Sequence, residues 1–149
     1  MSSEPVTPIG VVNPETVLSA FGSWPSFHDA EVHRVVLDRG SADDPPTITL
    51  AIHAFVSDGS IGENGYYRIA TGVLVTLRCL DVSESELRDF GCQNVLSSLE
   101  FESEVGGLVR VTLGPCYGLS GTVLCKEVRV ASVVPWPPPT GDAQPANRE

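Results

Sequence analysis

The sequence predicts a mainly β (α+β) domain: an antiparallel sheet of about six strands, sandwich-like or a partial barrel, with one short N-terminal helix packed on it. Three observations predict it. Residues 47–56 alternate, with Ile48, Leu50, Ile52 and Ala54 on one face and Thr47, Thr49, Ala51 and His53 on the other. Further β-prone stretches recur along the chain, separated by turn-forming residues. No helical pattern long enough to make βαβ crossovers lies between them, which disfavours a parallel sheet.

Residues 1–12 are polar with Pro5 and Pro8 and read as a flexible N-terminal arm. Asn13-Pro14-Glu15 reads as a helix start: Asn13 can cap, Pro14 suits the first helical position, and Glu15 favours the positive end of the helix dipole. Val17, Leu18 and Phe21 give that helix one apolar stripe, and Gly22 stops it. Strands are expected over 31–38 and 47–56, joined by the turn-rich segment Gly40–Pro46. A flexible loop is expected over 57–65, then a β-prone run over 66–82. Ser83-Glu84-Ser85-Glu86 has the spacing of a capping box and predicts one helical turn, ended by Gly91. Three more strands are expected over 95–104, 108–113 and 122–134. The single β-rich domain is thus 13–135, and the Pro-rich segment 136–149 reads as a disordered tail.

The hairpin between the strands at 95–104 and 108–113 can be read to the residue. A two-residue loop at Gly106-Gly107 would set each glutamate of the first strand beside a core residue of the second. A three-residue loop, Val105 to Gly107, pairs Glu104 with Leu108, Glu102 with Arg110 and Phe101 with Val111. That register matches apolar to apolar and sets Arg110 in the middle of the glutamate row, leaving Glu100 and Glu104 bare. Gly107 supplies the left-handed residue such a loop needs.

Length and composition bound the rest. The chain has 149 residues, a size for one domain, and 42% hydrophobic residues with a mean hydropathy of +0.08 supply one core. No apolar run approaches the roughly 20 residues that span a bilayer, and no signal-peptide pattern opens the chain. The four cysteines (Cys79, Cys92, Cys116, Cys125) form no Cys-x-x-Cys pair and read as reduced thiols of a cytoplasmic protein, although an even count also permits two disulfides. The net charge of −10 repels phosphate backbones, so neither nucleic acid nor membrane is an expected partner. The same charge would hasten encounter with a basic protein, and it also serves plain solubility.

No catalytic constellation and no cofactor motif emerges. Gly118-Leu119-Ser120-Gly121 lacks the frame of a nucleophile elbow, and the glycines at 59, 62 and 65 precede no helix that would cradle phosphate. Trp24 to His33 is the densest segment. His28, Asp29, Glu31 and His33 offer two imidazoles and two carboxylates, so a metal-binding module or metal-dependent enzyme is the alternative reading. Against it, Trp24 and Phe27 fit plugs closing one end of the core, while Ser26 and Asp29 fit side chains that satisfy backbone donors at a strand start. Glu100, Glu102 and Glu104 alternate with Leu99, Phe101 and Ser103 and so line one exposed strand face. Such a row suits a cationic partner, or is an ordinary solvated face.

The block Trp24-Pro25-Ser26-Phe27-His28-Asp29-Ala30-Glu31-Val32 resembles the start of the immunity protein 50 family of bacterial polymorphic toxin systems. Phe90 to Leu96, with Gln93-Asn94-Val95, is similar to a second block of that family, and Gly121 to Val130 to its closing strand. The resemblance implies a protein that binds and blocks a cognate toxin without catalysis of its own. Carried onto this chain, the matching residues are Trp24, Phe27, His28, Asp29, Glu31, Gln93 and Asn94.

Overall fold

The computed structural model describes residues 7–56 and 71–137. The expectations for residues 1–6, the loop at 57–65, the start of the following β-run (66–70) and most of the C-terminal tail (138–149) lie outside them. The strands form where β-branched and aliphatic residues alternate with polar ones. Inward positions such as Leu50, Ile52, Val75, Leu77, Val111, Leu113 and Val123 are almost completely buried. Each such side chain withdrawn from water contributes about 1.5–3 kcal/mol, which is what holds a sheet with so little helix.

Among the described residues nine strands form one open, mixed sheet: β1 (Val11–Val12), β2 (Glu31–Asp38), β3 (Thr47–Val56), β4 (Thr71–Leu80), β5 (Glu84–Arg88), β6 (Val95–Glu104), β7 (Leu108–Tyr117), β8 (Ser120–Cys125) and β9 (Glu127–Pro135). Their order is β1-β9-β4-β3-β2-β6-β7-β8-β5. All pairings are antiparallel except β1 with β9. The sheet does not close into a barrel. It bends where β2 meets β6 through the single pair Glu31–Val95, which divides it into two wings. The wing of β2, β3, β4, β9 and β1 faces the wing of β6, β7, β8 and β5 across one core, with Cys79 and Val75 of the first in the same apolar cluster as Val123 and Cys125 of the second. The expected sandwich or partial barrel is therefore one continuous sheet folded upon itself.

The helix α1 (Glu15–Phe21) buries Val17 and packs against β9. Its start differs from expectation. Pro14 occupies the cap, no side chain caps the helix, and Asn13 stands in the left-handed region with φ 59°. Gly22 ends it as expected, with φ 81° and its N–H donating to the Leu18 carbonyl at 2.8 Å.

Three other expectations change. Val11–Val12, placed in the arm by sequence, forms the parallel edge strand β1. Ser83–Leu87 forms no helical turn. Glu84–Arg88 is the edge strand β5, paired along its length with β8, because Glu84-Ser85-Glu86-Leu87 also alternates and Leu87 turns toward the core. The stretch 122–134 is two strands, β8 and β9, parted at Lys126, whose N–H donates to Leu80 O at 3.0 Å. The hairpin of β6 and β7 has the three-residue loop, with Glu104 opposite Leu108, Glu102 opposite Arg110 and Phe101 opposite Val111. Gly106 and Gly107 both take positive φ (85° and 77°).

Candidate functional site

The blocks at 24–33 and 90–96 meet in space, at the bend between the wings. Trp24 and Phe27 close one end of the core: Trp24 packs edge-to-face on Phe27 and on Phe101, with ring centroids 5.9 Å apart in each pair, and Phe21 flanks Phe27 at 6.4 Å. Past them the chain makes a tight entrance to β2. The Ser26 hydroxyl accepts from the His28 N–H at 3.2 Å, and the Asp29 N–H donates to Leu96 O at 2.8 Å. Among the described residues the Asp29 carboxylate takes none of the backbone donors expected of it. It lies 3.2 Å from His28 Nδ1, and both side chains are well exposed.

Asn94 is the buried polar centre of this junction, 3% exposed. Its Oδ1 accepts from the N–H of Gly91 at 2.9 Å and of Leu119 at 3.1 Å. Its Nδ2 donates to Gly91 O at 2.9 Å and to Val32 O at 3.4 Å. The Glu31 carboxylate accepts from the Asn94 N–H at 3.3 Å, and Val32 N–H donates to Asn94 O at 2.8 Å. One amide thus ties the start of β2, the approach to β6 and the β7–β8 turn. Gly118 lets that turn come close: its φ is 73°, and a Cβ there would overlap the Gln93 carbonyl and the Asn94 amide.

The four side chains offered as metal ligands are dispersed. His28 sits with Asp29, Glu31 turns to Asn94, and His33 stacks edge-to-face with His53 and Trp136 at 5.5 and 5.6 Å. Among the described residues no three His, Cys, Asp or Glu side chains are placed to hold a metal ion. All four cysteines are unbridged. Cys79 and Cys125 are buried, and a hydrogen bond to Cys125, with burial second, pushes the Cys79 thiol up. Cys92 and Cys116 are exposed.

The glutamate row lies on the outer face of the second wing, and the structure widens it. Pairing across the strands sets Glu102, Arg110, Leu124 and Glu84 in one row and Glu100, Thr112, Thr122 and Glu86 in the next. Arg110 makes its close ion pair with Glu104, and Glu102 opposite it acts on the guanidinium only through space. The Arg110 Nε donates to Glu104 Oε2 at 2.9 Å, a diagonal neighbour within reach of a long side chain, and this contact first of all raises the guanidinium's pKa. The bare carboxylates are therefore Glu100 and Glu102, not Glu100 and Glu104. Among the described residues Glu84, Glu100 and Glu102 have no ion-pair partner, and Glu86 has only the exposed Arg88 at 3.4 Å. Sequence reading missed Glu84 and Glu86 because it placed them in a helical turn. Their alternation with Ser85 and Leu87 was the signal available.

Of the outer face of the first wing, sequence reading picks out His33 alone, and as a metal ligand. His33, Arg34, Val36, Thr49, Ala51, Leu74, Thr76 and Trp136 line a groove of about 470 Å³ there. His33 falls at the one irregularity in the pairing of β2 with β3, between Val32 and Arg34, so that it and Arg34 both reach this side. His53 stands beside the groove with its Nε2 buried and without a hydrogen-bond partner among the described residues. Burial chiefly, and the neighbouring His33, hold its pKa below the ordinary value, against a smaller upward pull from Glu31.

These features define a β-rich protein with one acidic sheet face, one grooved face and a polar junction between them. The chain belongs to the immunity protein 50 family, whose model matches residues 13–136. No curated protein and no solved structure matches it significantly. No helix among the described residues is long and apolar enough to cross a membrane.

Proposed function

We propose that this protein is an immunity protein that binds and neutralises a cognate bacterial toxin in the cytoplasm of the toxin's own producer, without catalysis of its own. The family match over residues 13–136 carries the reading. The contact surface we assign is the acidic face of the second wing, with Glu100 and Glu102 at its centre, Glu84 and Glu86 on the far edge strand, and Glu104 held by Arg110. Five carboxylates against two guanidiniums suit a basic toxin surface. Opposed potentials of this kind speed encounter and exclude like-charged competitors more than they add affinity. The family-motif residues Trp24, Phe27, Asn94 and Glu31 act one step back: they fix the angle between the wings and so the shape presented. His28, Asp29 and Gln93 carry no assigned contact with the toxin.

The test is co-expression with the toxin encoded beside this gene. Cells producing both should grow, cells producing the toxin alone should not, and the two proteins should copurify. Protection without any physical association would overturn the binding mechanism. No protection at all would overturn the function.

A further inference from the structure

The first wing's groove is unlike the rest of the molecule. The chain leaves β9 at Pro135, pairs the Trp136 N–H with Gly72 O at 3.0 Å, and lays the indole against His33 of β2, two strands beyond β4. Trp136 thereby walls a trough floored by Ala51, Leu74 and Val36. Exposed apolar residues continue it along the same face: Phe55 is 58% exposed and Val134, opposite Leu74, 42%. The groove's lining contains no carboxylate, although the chain carries 19, and it contains His33 and Arg34. Among the described residues Arg34 has no ion-pair partner. Exposed apolar area with a tryptophan and an unengaged arginine is the composition of a protein-docking centre, and its charge is opposite to that of the acidic wing.

We infer that this groove docks an acidic segment of a protein partner, taking one apolar side chain between Trp136 and the floor and a carboxylate on Arg34. The Arg34 guanidinium can hold a carboxylate in a charge-assisted pair, which a lysine-bearing segment cannot offer. The site is separate from the acidic face and does not rest on the toxin reading. A basic toxin surface seated on the second wing would leave it open.

The probes are acetyl-Asp-Leu-Phe-Asp-amide, its Lys-Leu-Phe-Lys counterpart and its Asp-Ser-Ser-Asp counterpart, titrated into the full chain and followed by the two indole N–H resonances. The acidic apolar peptide should shift Trp136 and leave Trp24 in place. The other two should bind at least about fivefold more weakly, a difference of about 1 kcal/mol. Arg34→Gln and Val36→Lys, both at exposed positions, should each weaken binding by a similar factor, and Glu102→Lys should not. Equal binding of the lysine peptide, no shift at Trp136, or no effect of Arg34→Gln would overturn the assignment. So would 4-phenylbutyrate binding as tightly with the same footprint, which marks a small-molecule site. Self-association that Val36→Lys abolishes would identify a second copy as occupant and overturn it equally.

Discussion

On the wing of β5 to β8, outward positions of paired strands carry Glu84, Glu86, Glu100, Glu102 and Glu104. On the wing of β2, β3, β4 and β9 the outward positions include His33, Arg34, Val36, Ala51 and Leu74. The inward positions of both are alike, aliphatic and buried in a common core. The core therefore fixes what the wings share, and the outer faces are free to differ. Their difference is therefore not dictated by how the chain folds. The junction between the wings belongs to neither: there the side chains of Asn94 and Glu31 hold backbone in place.

The largest effect should come from breaking that junction. Asn94→Ala leaves the N–H groups of Gly91 and Leu119 and the carbonyls of Gly91 and Val32 without the partners they have, and should lower the unfolding free energy by about 2–4 kcal/mol in a denaturant titration. A loss under about 0.5 kcal/mol, typical of surface changes, would show that the wings are held by the core alone. Gly118→Ala should cost slightly less, about 2–3 kcal/mol, because the added Cβ is met by backbone and the position needs a left-handed φ.

The acid response should separate the wings next. The folded-state pKa of His53 is lowered, so the unfolded chain binds its proton more readily. The stability linked to neutral His53 is fully present above the unfolded value near 6.5 and is lost as the pH falls through the lower folded value. Thermal unfolding from pH 7 to pH 5 should show this loss in the wild type, and His53→Asn should flatten the profile. An unchanged profile would place the titrating group elsewhere. The smallest effect belongs to the acidic face: Glu100→Gln with Glu102→Gln should change stability by less than about 0.5 kcal/mol, since neither carboxylate has an ion-pair partner among the described residues.

The sequence made the wings more legible than the junction. The β6–β7 register follows from alternation and from Gly107, because a slip by one residue would bury a row of glutamates. Strand β5 was misread because its serine and glutamate match a capping box as well as an edge strand, and only pairing with β8 decides between them. The role of Asn94 was invisible because the residues it bonds include Val32 and Leu119, 62 and 25 positions away. Trp136 was assigned to a tail by the prolines that follow it, and nothing local shows that it reaches back to His33. Arg110 stands in the expected register, yet its partner is the diagonal Glu104, a choice made by side-chain reach and not by strand pairing.

The central claim is that the acidic wing meets the toxin, and the affinity of the purified toxin for wild-type protein and for a Glu100→Lys, Glu102→Lys double variant tests it most directly. Measured at about 50 mM and about 300 mM salt, the wild type should lose affinity as screening rises, and the variant should bind at least about tenfold more weakly at the lower salt. Equal affinities at low salt, with the variant's fold intact by circular dichroism, would contradict the assignment of this face.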